Sequence, residues 1–139
     1  MEKQFAPYHI ALSLKELGYN EPCITFYPPN NKSLKSSANG MKIYSSVSSG
    51  YKNSKLDENP NTENSVAAPL LQQVFDFFEK EYGIMIHIYK YHNSSEYDFT
   101  PYSDTPDKNE DMDNEPFKSS RDAKLGALEY LIDYVKRNL

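Results

Sequence analysis

The chain has 139 residues with a formal net charge of -5, and its aromatic share of 14% comes from 12 Tyr and 7 Phe with no Trp. A chain of this length can bury about two-thirds of its unfolded surface, and disordered chains are poorer in aromatic residues, so we expect a folded protein. The acidic balance disfavours contact with a phosphate backbone, so no direct nucleic-acid binding is expected.

Cysteine content and hydropathy bear on the compartment in which the protein works. Cys23 is the only cysteine, which excludes an intrachain disulfide. Met1–Ile10 has no apolar core of signal-peptide length, and no run approaches the roughly 20 apolar residues that span a bilayer. We therefore predict a cytoplasmic protein without a membrane segment, folded as a single domain over residues 1–139.

The first third of the chain reads as a helix followed by two strands. Pro7 to Leu17 has apolar residues at helical spacing, begins with Pro and is followed by Gly18. Pro22 to Tyr27 reads as a short strand that the following prolines end, and Met41 to Val47 as a weaker strand. These two strands are predicted to pair as a long hairpin.

The second half repeats this order and ends in a further helix. A helix with Pro69 in its first turn is predicted to run to Tyr82, before Gly83 in a position that favours a left-handed cap. Ile84 to Tyr91 alternates as a strand should, and Glu96 to Thr100 returns after a polar turn. The last helix follows the capping residues Ser119 and Ser120, and its apolar stripe comprises Ala127, Leu128, Leu131, Ile132 and Val135.

Polar segments separate these elements, and mobile loops are predicted near residues 28–40, 48–65 and 101–118. The element order is α-β-β-α-β-β-α. Because the strands are joined locally, we predict a two-layer α+β fold. It has a mostly antiparallel sheet of about four strands, with three helices on one face.

No recognised catalytic, cofactor or metal motif is present. The acidic run from Asp107 resembles the start of a calcium loop, but Met112 stands where such a loop needs Gly and Lys118 where it needs Glu. Cys23 and His87 are predicted on one sheet face and form a conceivable nucleophile and base, although buried cysteine is common in cores. We therefore predict no cofactor and no metal, and treat an enzyme as less expected than a binding protein.

Three blocks of sequence carry a resemblance to a protein group. They are Leu14-Lys15-Glu16-Leu17-Gly18-Tyr19 with Glu21-Pro22-Cys23; Ala68-Pro69-Leu70-Leu71-Gln72-Gln73-Val74-Phe75-Asp76-Phe77-Phe78 with Tyr82 and Ile84; and the final helix from Ser120 to Val135. They resemble small uncharacterised proteins encoded by phages and prophages of gut Bacteroidetes. The resemblance covers about half the chain and implies an accessory protein of unknown role in a bacterial cytoplasm.

Strand alternation separates two faces of the predicted sheet. The isoleucines of the strands should face the helices, and the opposite face is expected to carry Cys23, Tyr27, Tyr44, Met85, His87, Tyr89 and Tyr91. A surface this aromatic is typical of interaction sites, so we predict a protein partner, foremost a second copy of the chain. The competing interpretations are that loops cover this face, or that the tyrosines stand in water by their hydroxyl ends.

The leading functional hypothesis is accordingly a non-enzymatic interaction protein that self-associates through this aromatic face. Two alternatives stay open. One is a small-ligand-binding protein or an enzyme of unknown reaction, and the other is an acidic mimic of nucleic acid directed against host defence.

Overall fold

The computed structural model describes residues 4–29, 50–103 and 116–138. Helices and strands are mixed in the order α1 (Tyr8–Glu16), β1 (Thr25–Tyr27), α2 (Asn53–Glu58), β2 (Val66–Ala68), α3 (Leu71–Tyr82), β3 (Ile84–Lys90), β4 (Tyr97–Ser103) and α4 (Ser120–Asn138). The predicted α+β class is confirmed at this level. The chain divides into two compact units, residues 1–72 and 73–139.

In the first unit, β1 pairs with β2 in antiparallel register, with Phe26 opposite Ala67. The strand predicted at Met41–Val47 lies outside the described residues. Helix α1 packs on this small sheet, and its Ala11 shares a buried cluster with Tyr27 and Val66. The sequence did not predict β2, because its three residues are short, alanine-rich and buried without any alternation.

Helix α2 corrects the prediction of a loop across residues 48–65. Its six residues are mostly polar, but Asn53 and Leu56 are buried. Leu56 is the one large apolar residue of the helix, so its burial against the rest of the unit fixes the segment where helix propensity alone would not. The isolated bridge between Cys23 and Tyr51 anchors the chain just before α2.

The start of α4 and the ends of α1 and α3 follow the predicted signals, whereas α3 begins at Leu71, two residues after the Pro69 that was predicted in its first turn. Gly18 and Gly83 have φ of 91° and 67°, the left-handed conformation that closes α1 and α3. The backbone N–H of Asp122 donates to Ser119 Oγ at 3.0 Å, so Ser119 caps α4. The predicted bounds of α1 agree with the structure within one residue at each end.

In the second unit, β3 and β4 form an antiparallel hairpin, as predicted, with Ile84 opposite Ser103 and Lys90 opposite Tyr97. Helix α4 packs against one face of this hairpin through its stripe of buried residues. Phe99 of β4 is buried there, and its ring centroid lies 6.0 Å from those of Phe117 and Tyr130. The four described strands thus form two separate pairs, and the predicted single sheet of about four strands is not seen among them.

Candidate interaction surface

The face of the β3–β4 hairpin away from Phe99 is the candidate site, and we call it the outer face. In an antiparallel pair, residues directly opposite one another project to the same side of the sheet. The outer face therefore comprises Met85, His87 and Tyr89 of β3, Tyr91 just beyond it, and Asp98, Thr100 and Tyr102 of β4.

Aromatic side chains form a row along β3 on the outer face. The His87 ring stacks beside that of Tyr89 at a centroid distance of 5.8 Å, and Tyr89 meets Tyr91 edge to face at 5.6 Å. Both spacings lie within the range in which aromatic pairs attract. Tyr91 and Tyr102 are 37% and 42% exposed, and they are the exposed large hydrophobic residues among those described.

One carboxylate anchors the end of this row. Asp98 is 4% exposed, and its Oδ2 accepts a hydrogen bond of 2.9 Å from the Tyr91 hydroxyl. Its Oδ1 accepts a bond of 2.8 Å from the backbone N–H of Phe99. The hydrogen bond to Asp98 raises the pKa of Tyr91 to about 12, because deprotonation would break this charge-assisted bond, and repulsion between phenolate and carboxylate adds a smaller effect.

The turn that joins the strands fixes the direction in which Tyr91 projects. Tyr91 N–H donates to the Glu96 carbonyl oxygen at 3.0 Å, and Ser94 N–H donates to the Tyr91 carbonyl oxygen at 3.2 Å. Asn93 occupies the left-handed region with φ of 58°, which asparagine tolerates well. An open depression lined by residues 90–95 lies at this turn.

The structure divides the predicted interaction residues. It brings Met85, His87, Tyr89 and Tyr91 together on the outer face, and it places Tyr44 outside the described residues. Tyr27 is placed differently from the prediction. It is 5% exposed, lies in the core of the first unit, and donates a hydrogen bond of 2.7 Å to the Ala6 carbonyl oxygen.

Buried and partly exposed side chains alternate along β1 in the opposite order to the predicted one, and this places Tyr27 in the core. Tyr27 and Thr25 are buried, whereas Phe26 is only partly buried and packs edge to face on Tyr51 at 4.8 Å. Tyr8 of α1 packs edge to face on Tyr27 at 5.5 Å. Because α1 covers the tyrosine side of this short strand, the phenylalanine and not the tyrosine lies towards the surface.

Cys23, the nucleophile considered from sequence, is buried with a relative exposure of 1%. Burial raises the pKa of its thiol to about 12, against a smaller opposing effect from the Tyr19 hydroxyl, 3.9 Å from Sγ. The nearer Glu21 carbonyl oxygen, 3.5 Å away, accepts from the thiol. Cys23 is therefore a neutral core thiol, and it lies in a different compact unit from His87.

Sequence reasoning missed the three outer-face residues of the second strand, Asp98, Thr100 and Tyr102. The predicted extent of that strand stopped at Thr100, which left Tyr102 out. Proline is accepted at this strand edge, so β4 continues to Ser103. The register of the hairpin, read from the alternation of β3, could have identified all three residues.

The part of the chain that the structure describes contains no group of three or more histidine, cysteine or acidic residues arranged to hold a metal ion. Most of the calcium-like run from Asp107 lies outside it. None of the helices described there is both long enough and apolar enough to cross a membrane. Comparison with protein-family models, curated proteins and solved structures found no match.

Proposed function

We propose that this protein is a non-enzymatic interaction module that self-associates through its β3–β4 hairpin. The observation that carries the proposal is the exposed aromatic row of the outer face, held in place at Tyr91 by Asp98. Tyrosine suits a contact surface because its ring loses apolar area to a partner while its hydroxyl keeps a hydrogen bond.

The distribution of the tyrosines supports this choice of surface. Tyr19 and Tyr27 are almost fully buried, and Tyr27 has its hydroxyl bonded inside the fold, as core tyrosines usually do. Tyr91 and Tyr102 instead expose over a third of their surface on the same face of one hairpin. The rings of His87 and Tyr89 lie between them along the hairpin, and an extended apolar surface of this kind marks an interaction site more often than solvated surface.

The burial of Cys23 argues against an enzyme that would use this thiol as its nucleophile. A nucleophilic cysteine requires a lowered pKa, and the pKa of Cys23 is raised to about 12 by burial. The same free thiol fits the proposed cytoplasmic location, where thiols stay reduced. The accessory role in a phage or prophage setting remains part of the proposal, on the sequence resemblance alone.

Light scattering on the purified protein tests the proposal. We expect a concentration-dependent rise from the 16.0 kDa monomer towards twice that mass. Tyr89→Lys and Tyr91→Lys should each weaken the dimer by about tenfold or more, because each places a desolvated charge in the contact. Asn61→Lys, at an exposed site in the first unit, adds the same charge and should leave the dimer intact.

Circular dichroism and thermal melting should show that all three variants remain folded. A wild-type protein that stays monomeric at millimolar concentration would contradict the proposal. Equal weakening by Asn61→Lys would also contradict it, since net charge and not the outer face would then govern association.

A further inference from the structure

Alternate residues of β3 exchange backbone hydrogen bonds with β4, and the residues between them direct their N–H and C=O groups away from the hairpin. Tyr91 N–H bonds to the Glu96 carbonyl oxygen, so in the observed register Tyr89, His87 and Met85 also exchange bonds with β4. The residues between them turn their N–H and C=O groups to the free side of β3. These are Ile84, Ile86, Ile88 and Lys90.

The backbone hydrogen bonds of Tyr97 independently indicate the same alternation. Tyr97 stands opposite Lys90, and its N–H and C=O both bond to Phe117 at 2.8 Å, on the side of β4 away from β3. Lys90 must therefore direct its own groups away from β4.

The two edges of the hairpin are not equivalent. The edge of β4 is occupied at Tyr97 by Phe117, and it lacks a donor at Pro101, which has no N–H. Proline and short bridging segments are devices by which proteins block sheet edges. The edge of β3 has neither device over its seven residues, and its outward groups bond to no other described residue.

Resting on the proposed self-association, we infer that two copies pair edge to edge through β3, antiparallel about a twofold axis at His87. In this register all seven residues of the strand are paired: Ile84 with Lys90 of the second copy, Met85 with Tyr89, and Ile86 with Ile88. The free N–H and C=O groups of β3 in one copy then face those of β3 in the second copy, as hydrogen bonding in an antiparallel ladder requires.

The strand is self-complementary on both faces in this register. Isoleucines lie beside isoleucines on the side that α4 covers, and Met85 lies beside Tyr89 of the second copy on the outer face. Lys90 is the only Lys, Arg, Asp or Glu residue in β3, and it stands opposite Ile84, so no like-charged residues are opposed. Edge pairing thereby forms one four-stranded sheet across two chains, with the two aromatic rows side by side.

The register makes a distance prediction that a cysteine pair can test. His87 would meet His87 of the second copy in a non-hydrogen-bonded pair, with Cα atoms about 4.5 Å apart. That separation permits a disulfide. Tyr89 of the two copies would be about 13 Å apart along the strands, which excludes one.

The experiment compares His87→Cys with Tyr89→Cys, both in a Cys23→Ala background, under mild oxidation. We expect nearly complete crosslinking of the His87→Cys dimer, and at least tenfold slower crosslinking of Tyr89→Cys. Hydrogen exchange on the uncrosslinked protein gives a second readout. The amides of Ile86 and Ile88 should exchange more slowly as concentration rises, while that of Phe99 should not change.

The outcomes separate this inference from the function on which it rests. Monomeric wild-type protein in light scattering overturns both. A dimer in which His87→Cys crosslinks no faster than Tyr89→Cys, or in which the Ile86 and Ile88 amides gain no protection, overturns edge pairing and leaves self-association through another part of the hairpin.

Discussion

The hydroxyl of Tyr91 donates a 2.9 Å hydrogen bond to Oδ2 of Asp98, which links the exposed end of the aromatic row to a buried carboxylate. The bond runs diagonally across the hairpin, since Asp98 stands opposite Tyr89. It gives the outer face a fixed ring orientation near the turn. It also leaves a titration signature that solution measurements can detect.

We expect the pKa of Tyr91, about 12 in the folded protein, to fall towards the ordinary tyrosine value of about 10 in Asp98→Asn. The neutral amide accepts a weaker hydrogen bond from the hydroxyl than the carboxylate does, and it can turn its N–H towards the phenolate. Because the folded pKa is raised, the stabilisation is complete below pH 10 and is lost as the pH rises through 12. Ultraviolet titration of phenolate absorbance, with Tyr91→Phe subtracted to isolate this residue, measures the shift.

Tyr102→Phe serves as the control, since Tyr102 lies on the same face, whereas the described hydrogen bonds of Asp98 go to Tyr91 and Phe99. In the Tyr102→Phe background, Asp98→Asn should lower the pKa of Tyr91 as it does in the wild type. If Asp98→Asn left the Tyr91 titration unchanged, the hydrogen bond would not persist in solution.

Asn53 is a buried polar residue that joins three segments of the first unit. Its Nδ2 donates to the Tyr19 carbonyl oxygen, and its Oδ1 accepts from Ala67 N–H, both at 2.9 Å. Asn53→Ala removes both of these buried hydrogen bonds to the backbone, so we expect a loss of about 2–4 kcal/mol in the free energy of unfolding. Urea denaturation measures it.

The neighbouring Ser54 is the matched control for Asn53, because its side chain is exposed on the same turn of α2. Ser54→Ala should change the free energy of unfolding by less than about 0.5 kcal/mol. Equal effects of the two substitutions would mean that helix propensity, and not the buried bonds, accounts for the loss.

Sequence periodicity predicted the elements whose burial follows a regular pattern. The alternation of β3 and the spacing of α3 identified both elements, and the inward isoleucines of β3 face α4 as expected. Helix α2 and strand β2 were missed because each is short and is held by contacts distant in sequence, such as those of Asn53. Only the tertiary structure determines such segments.

Regular alternation also predicted part of the candidate surface. One long strand and its turn contain Met85, His87, Tyr89 and Tyr91, so a single alternation places all four side chains on the same face. Tyr27 belongs to a three-residue strand, for which alternation gives no reliable phase. Its position was decided by the ring of Tyr8 and the carbonyl of Ala6, which the local sequence does not reveal.

Cys23 provides a prediction about reactivity. Because burial raises the pKa of its thiol to about 12, we expect labelling by a disulfide reagent at pH 8 to be slow in the native protein and immediate in denaturant. The raised folded pKa also means that its contribution to stability is complete below pH 8.5 and is lost as the pH rises towards 12. The slope approaches about 1.4 kcal/mol per pH unit.

Cys23→Ala removes the titrating thiol and is the comparison for that slope. Between pH 9 and 10, below the titration range of Tyr91, its free energy of unfolding should fall less steeply than that of the wild type. Rapid labelling of the native protein at pH 8 would show instead that the thiol is accessible, and would reopen the nucleophile hypothesis.

Gly126 of α4 has no side chain, and the ring of Phe117 occupies the space that this leaves. A Cβ at Gly126 would lie 2.5 Å from Phe117 Cζ, so alanine would push the ring out of position. An alanine normally stabilises a helix by about 1 kcal/mol relative to glycine. Here the steric overlap costs more, and we expect Gly126→Ala to lower the free energy of unfolding by about 1–2 kcal/mol.

A double-mutant cycle with Phe117→Ala separates the two effects of this substitution. Once the ring is removed, only the helix-propensity gain is left, so Gly126→Ala should stabilise the Phe117→Ala protein by up to about 1 kcal/mol. The sign of the effect thus reverses between the two backgrounds. If Gly126→Ala stabilised both proteins equally, the ring of Phe117 would not pack on α4, and the docking of β4 through Phe99 and Phe117 would have to be revised.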